Sequence, residues 1–342
     1  MGATTPSTSG RTRLWVDGAL KAEDFPLRDV SDHLHEPGAL IWVDLRNPDR
    51  AVLDQLAGEL ELDQRAVEDV VEHSERVKAT RYATHTFVTV YATALGAQVP
   101  GSIESSLRTE RVSIFVLPTA LVTIRHETGA ERPVFDVDEV MRRWDDNSDL
   151  LRLGSPALLH GVLDVVVDGQ FDTIQQLDDA IESLEDDLFD EHSQTRQLQR
   201  DTYRLRKELV ELRRVVLPMR EVVNTVMRRG VEGTDPTELT SWYYDLYDHV
   251  IRASEWTESL RDMVTTVFET NLSLQDARLN TIMKKLTGWA AIIAVPTLVT
   301  GWYGQNVPYP GYGEAAGVVT AAVLTVLTSV GLYLAFKKRG WI

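Results

Sequence analysis

"GWYGQNVPYP", residues 301–310, lies between two long runs without charge and decides how the chain is read. No residue is charged from Leu286 to Gly313, and none from Ala315 to Phe336. Each run supplies the roughly 20 residues that a membrane-crossing helix needs. Gly304, Pro308, Pro310, Gly311 and Gly313 break the stretch between them. The alternative is a buried hairpin of a soluble protein, but two such adjacent runs are hard to hide in one globular core. The spacing predicts spans over 286–304 and 315–336, joined by a loop over 305–314. Lys284 and Lys285 precede the first span and "KKRGW" (337–341) follows the second, whereas the loop carries only Glu314. Lys and Arg mark the cytoplasmic side, so the loop faces the extracellular or periplasmic side. Both termini, including the basic segment 337–342, are then cytoplasmic, which makes a multi-pass protein of the bacterial plasma membrane.

Composition narrows the chemistry. The 342 residues carry a formal net charge of −17, which argues against nucleic acid as a partner and favours cations. With no cysteine there are no disulfides, thiolate metal sites or cysteine nucleophiles. The eight histidines are scattered, with only His33 and His35 within two residues of one another, and no Walker-type glycine-rich loop is present. An enzyme is not expected. The opening "MGATTPSTSGRTR" lacks the apolar stretch of a signal peptide and reads as a disordered tail over 1–13.

Residues 14–150 read as a mixed α/β domain. "ALIWVDL" (39–45), 84–95, 110–119 and 120–127 have strand character. Residues 49–60, 63–73 and 134–144 read as helices, with Asp49 and Asp63 as N-caps. Residues 151–234 form an antiparallel helix pair, the first helix acidic and the second basic and bent at Pro218. The acidic run is either a solvated face or an attractor of cations. Residues 235–285 predict a stalk helix with an approximate seven-residue repeat: Leu239, Tyr243, Leu246, Val250, Ala253, Leu260, Val264, Val267, Asn271 and Leu274. It runs on into the first span. A helix of that length, on the order of 100 Å at 1.5 Å per residue, is expected to need copies of itself around it.

"VELRRVVLPMREV" (210–222), "YYDLYDHVIR" (243–252), "LNTIMKKLTGWAAIIAVPTLVTGWYGQN" (279–306) and "FKKRGW" (336–341) together make the chain resemble the CorA family of magnesium and divalent cation transporters. The resemblance covers nearly the whole chain. Its loop signature, Gly-Met-Asn, reads Gly304-Gln305-Asn306 here, and only Glu314 remains of the loop acids. It implies a funnel-shaped homopentamer in membrane lipid, with an α/β cytoplasmic domain, a long stalk helix and two C-terminal transmembrane helices. Mg²⁺ is implied as both cargo and regulator, with no organic cofactor. The first span would line the pore, where Asn280, Met283, Thr287, Ala290, Ala294, Thr297 and Gly301 form a stripe of small, polar or flexible residues. Ordinary small-residue helix packing makes the same pattern. The loop residues Gly304, Gln305 and Asn306 would set selectivity; Gln305 either adds a second amide ring or points aside. Glu68 and Asp69 match the family's acidic pair, and Asp245 its partner on a neighbouring stalk, so they are regulatory metal candidates or else plain surface acids. A zinc, cobalt or nickel transporter on the same scaffold, and a membrane-tethered sensor without transport, remain open alternatives.

Overall fold

The computed structural model describes residues 10–72, 75–97, 102–127, 133–189, 195–229, 236–305 and 307–342. The chain divides into two compact units, one up to Val267 and the other from Phe268. In the first unit β1 (Gly10–Val16), β2 (Ala19–Glu23), α1 (Val30–His33), β3 (Ala39–Arg46), α2 (Arg50–Glu59), α3 (Gln64–Val71), β4 (Lys78–Arg81), β5 (Thr86–Leu95), β6 (Leu107–Val116) and β7 (Ala120–His126) precede α4 (Val137–Asp146) and α5 (Ser148–Leu151). The seven strands pair in the order β2-β1-β3-β7-β6-β5-β4. Only β3 and β7 run parallel; every other pair is antiparallel.

Residues 10–13 were expected in the disordered tail, but they open β1. Thr12 and Leu14 alternate inward there, and the Thr12 hydroxyl donates to the Phe25 carbonyl at 2.7 Å. The hairpin from β1 to β2 turns at Asp17-Gly18, where both φ angles are positive (52° and 82°), as a two-residue connection that follows strand twist requires. Residues 1–9 lie outside the described residues. Asp49 and Asp63 cap α2 and α3 as expected, accepting from the N–H groups of Val52 and Arg65 at 2.9 Å.

Each face of the sheet is buried by helices. On one, Ile41, Val43, Val122 and Ile124 pack with Leu53 and Leu56 of α2 and Val67 and Val70 of α3. On the other, Trp15 and Trp42 meet Trp144 of α4 edge-on, at 5.9 and 5.0 Å between ring centroids. A buried charged pair joins the parallel strands. Asp44 is wholly buried and accepts from Arg125 Nη2 at 2.8 Å, from Arg125 Nε at 3.1 Å and from the Thr123 hydroxyl at 2.8 Å. Burial opposes the charge on Arg125, but Asp44, Glu127 and Glu110 outweigh it and hold the guanidinium above its ordinary range.

The helical part of the chain is α6 (Ser155–Phe189), α7 (Thr195–Val216), α8 (Met219–Arg229), α9 (Pro236–Tyr303) and α10 (Ala315–Lys338). The bend foreseen at Pro218 is a full break between α7 and α8. Ile174, Leu177, Ile181, Leu184 and Leu188 of α6 are buried, as are Leu198, Leu205, Leu209 and Leu212 of α7. Nine of the ten repeat positions of α9, from Leu239 to Asn271, are buried as well, and Thr257 joins them. The repeat is covered within a single chain, so the repeat by itself does not call for copies around the helix. Phe171 of α6 packs on His249 and Trp256 of α9 at 6.0 and 6.3 Å. The Tyr243 hydroxyl donates to the Pro156 carbonyl at 2.8 Å.

Replacing Asp44 with alanine leaves Arg125 buried and unpaired. Asp44→Ala is expected to destabilise the first unit by about 3–5 kcal/mol, read by denaturant unfolding of the detergent-solubilised chain; replacing Asp44 and Arg125 together by leucine should cost much less.

Candidate functional site

In the second unit α9 and α10 are the helices long and apolar enough to cross a membrane. Beyond Asn271 the buried positions of α9 are Gly288 and Val299, with Ala291, Ile292, Val295 and Pro296 half-buried on the same side. That side meets α10: Phe336 lies against Gly288, and the Trp289 ring stands 6.4 Å from Tyr333. Asn280, Met283, Thr287, Ala290, Ala294, Thr297 and Gly301 are all exposed. At about 100° per residue they share the far face of the helix. The hydroxyl protons near the top are spent on the backbone. Thr297 donates to the Ile293 carbonyl at 3.3 Å, and Thr300 to that of Pro296 at 2.9 Å. The oxygen lone pairs stay outward, able to accept from water.

Gly304 follows directly on the end of α9 at Tyr303, and its φ is not left-handed. Its N–H still bonds to the Thr300 carbonyl at 2.8 Å. A Cβ at this position would come within 3.0 Å of the same oxygen, so close approach, rather than φ, calls for glycine. Gln305 is exposed, its N–H directed to the Trp302 carbonyl at 3.3 Å. Asn306 lies outside the described residues. The loop is closed by clustered tyrosines: Tyr309 meets Tyr303 at 4.9 Å and Tyr312 at 5.2 Å, both edge-on.

The acidic candidates of the first unit are not joined within one chain. Glu68 is exposed, and Asp245, with 74% of its side chain accessible, lies 3.8 Å from His249. Asp69 instead meets Lys78 at 2.7 Å, and Lys78 also binds Glu75 at 2.8 Å. Burial lowers the Lys78 pKa, but those two carboxylates outweigh it and raise it overall. Asp69, Glu72 and Glu75 place one oxygen each within 4.8 Å of one another. Sequence reading missed a second cluster, Asp164, Asp168 and His249, gathered at the same spacing. Its signal was present in Asp164 and Asp168, one helical turn apart on α6. Arg143 of α4 already neutralises it, donating to Asp164, to Asp168 at 2.7 Å and to Glu139 at 2.9 Å. A divalent cation there would have to displace a guanidinium. Beside this cluster His160 is buried between α6 and α9, its Nε2 3.2 Å from the Trp242 carbonyl and its ring edge-on to Tyr243.

Residues 37–338 match the sequence model of the family described as CorA-like Mg²⁺ transporter protein. The cobalt/magnesium transport protein CorA of Thermotoga maritima is 27% identical over 329 residues, covering 93% of this chain and 89% of its own. YfjQ of Bacillus subtilis is 26% identical over 333 residues, covering 94% and 97%. Among solved structures, the CorA magnesium transporter from Methanocaldococcus jannaschii superposes with a TM-score of 0.73 at 21% identity, covering 97% of this chain and 98% of the other. At that identity the superposition speaks to the fold.

Burial lowers the pKa of His160 from its ordinary 6.5, against the pull of Asp164 and Asp245 and with a smaller push from Arg143. A histidine whose folded pKa is depressed leaves stability intact above about 6.5 and withdraws it as pH falls below that value, because the unfolded chain takes the proton first. Thermal unfolding at pH 7.5 and 5.5 is therefore expected to show an acid-side loss that His160→Gln reduces; an equal loss in the variant would move the effect elsewhere.

Proposed function

The chain belongs to the CorA-like Mg²⁺ transporter family, a family of divalent cation transporters rather than enzymes, and from that membership we propose that it carries Mg²⁺ into the cell as a homopentameric channel. The observation that carries this reading is the face of α9 opposite α10. Seven small, polar or flexible residues lie there exposed, on a helix apolar enough to cross a membrane. Two helices cannot enclose a polar path, because each spans hydrocarbon as a closed hydrogen-bonded rod. Copies arranged around that face can. Exposed apolar residues on the preceding stretch of α9, Phe268, Leu272, Leu279, Ile282 and Leu286, support the same assembly.

Mg²⁺ gives up its water reluctantly. Amide oxygens from Asn306, and from Gln305 if it turns inward, would hold the hydrated ion through its own waters without trapping it. An interior-negative potential contributes about 2.3 kcal/mol per charge per 100 mV, about twice that for a divalent ion, so no nucleotide is needed. Closure would come from Mg²⁺ bridging Asp245 of one subunit to Glu68 and Asp69 of the next. Copies of a chain at −17 repel, and a divalent bridge relieves the repulsion. At Asp69 the ion must compete with Lys78. A second reading, zinc, cobalt or nickel as cargo, is favoured by Gln305 standing where the family signature has Met.

Proteoliposome uptake of Mg²⁺, Co²⁺, Ni²⁺ and Zn²⁺ at one membrane potential separates these readings. Mg²⁺ flux is expected; preference for Zn²⁺ selects the second reading, and no flux of any of the four leaves a non-transporting sensor. Asn306→Ala should abolish most uptake with assembly intact, whereas Gln305→Met should retain it. Wild-type flux in Asn306→Ala would remove the loop from ion selection.

Asp245→Ala, and Glu68→Ala combined with Asp69→Ala, should weaken the protection of α9 from protease by Mg²⁺. Unchanged protection across the Mg²⁺ titration would make these residues plain surface acids.

A further inference from the structure

Beyond α10 the chain reverses at once. Arg339 N–H bonds back to the Ala335 carbonyl at 3.2 Å, Gly340 takes a φ of 68°, and Trp341 N–H bonds to the Phe336 carbonyl at 3.0 Å. The Trp341 ring then lies flat on Phe336, with centroids 5.3 Å apart and planes 3° from parallel. This delivers Ile342 onto α9 at Gly288. A Cβ at Gly288 would stand 3.2 Å from both Ile342 Cγ1 and Cδ1, and 3.6 Å from Phe336 Cδ2. Residues 276–287 and 289–290 are exposed, so Gly288 is a single buried notch in an otherwise bare stretch of helix. Glycine weakens a helix interior. Here the missing side chain makes room for another residue's. Thr287, its neighbour, belongs to the exposed face that the proposed pore uses.

We infer that Trp341 and Ile342 form a staple, seated in the Gly288 notch, that holds the inner end of the apolar span of α9 in one rotation and so favours the closed pore. This rests on the channel reading above. A bulky residue pressed into a fitted notch fixes one rotation of a helix about its axis, because packed contacts tolerate discrete arrangements rather than continuous sliding. Restraint of this kind favours the single symmetric arrangement that bridged subunits also favour. Opening, which must change what the α9 face presents, has to pull Ile342 out. The staple thus acts as a positioning device at the inner end, separate from the loop at the outer one.

The full chain in proteoliposomes tests this. In Ile342→Ala and in Gly288→Val the internal Mg²⁺ concentration for half-closure is expected to rise about fivefold, near the low end of allosteric couplings. Gly288→Ala combined with Ile342→Val, which trades volume between notch and staple, should return it toward the wild-type value. Unchanged half-closure in Ile342→Ala, or a shift to lower Mg²⁺, overturns the proposal while wild-type flux leaves the channel reading standing; absent wild-type flux sinks that reading and the gating role with it. A readout independent of transport uses the chain's lack of cysteine. Gly288→Cys with Ile342→Cys should form a disulfide on mild oxidation, seen as a linked peptide pair by mass spectrometry, and failure to link shows that the staple is not seated.

Discussion

The buried seam of α9 is the contact on which the helical half of the chain depends. Leu239, Tyr243, Leu246, Val250 and Ala253 are almost wholly removed from water, and each contributes roughly what burying an apolar side chain contributes elsewhere, on the order of 1.5–3 kcal/mol for the larger ones. Tyr243 shows the constraint most sharply. Its ring is buried completely, burial pushes its hydroxyl's pKa well above the ordinary range, and that hydroxyl still finds the Pro156 carbonyl. A buried phenol without such a partner would cost the seam much of what the ring contributes. Ion pairs at the margins, such as Arg213 with Glu258 at 2.8 Å, are exposed on both sides and add little.

Much of this was legible in the sequence because its signals are periodic or extreme. The seven-residue repeat named most of the buried positions of α9, and two uncharged runs named the apolar helices. What the repeat could not say was which surface covers it, since a stripe reads the same whether its partner is a copy or another part of the chain. Strand content in the first unit was visible in β-branched runs, but β1, β2 and the short β4 were not. Arg11 and Arg13 made the first half of β1 look like a polar tail, although the alternation of Thr12 and Leu14 and the Asp17-Gly18 turn of the β1–β2 hairpin were there to be read.

The acidic residues show the other limit of reading along the chain. Counting carboxylates suggested open, cation-hungry surfaces, yet the structure answers several of them with fixed cations of its own. Lys78 holds Asp69 and Glu75, and Arg143 holds Glu139, Asp164 and Asp168. Lys78–Glu75 and Arg143–Glu139 are only three and four positions apart. Lys78–Asp69, Arg143–Asp164 and Arg143–Asp168 join residues 9, 21 and 25 positions apart, beyond any local spacing rule. The Gly288 notch was equally silent, because a lone glycine in an apolar run carries no sign of the isoleucine that fills it.

The parallel pairing of β3 with β7 also orders events during synthesis. Asp44 and its partner Arg125 are 81 residues apart, so the central strand waits with one edge open until β7 has left the ribosome. Contacts of such sequence separation form slowly, and an unpaired apolar strand is prone to misassociation in the interval. Yet α9 and α10 come after β7 in the chain. The sheet can therefore close, with its buried ion pair in place, before either apolar helix is available to the membrane or to the unfinished core.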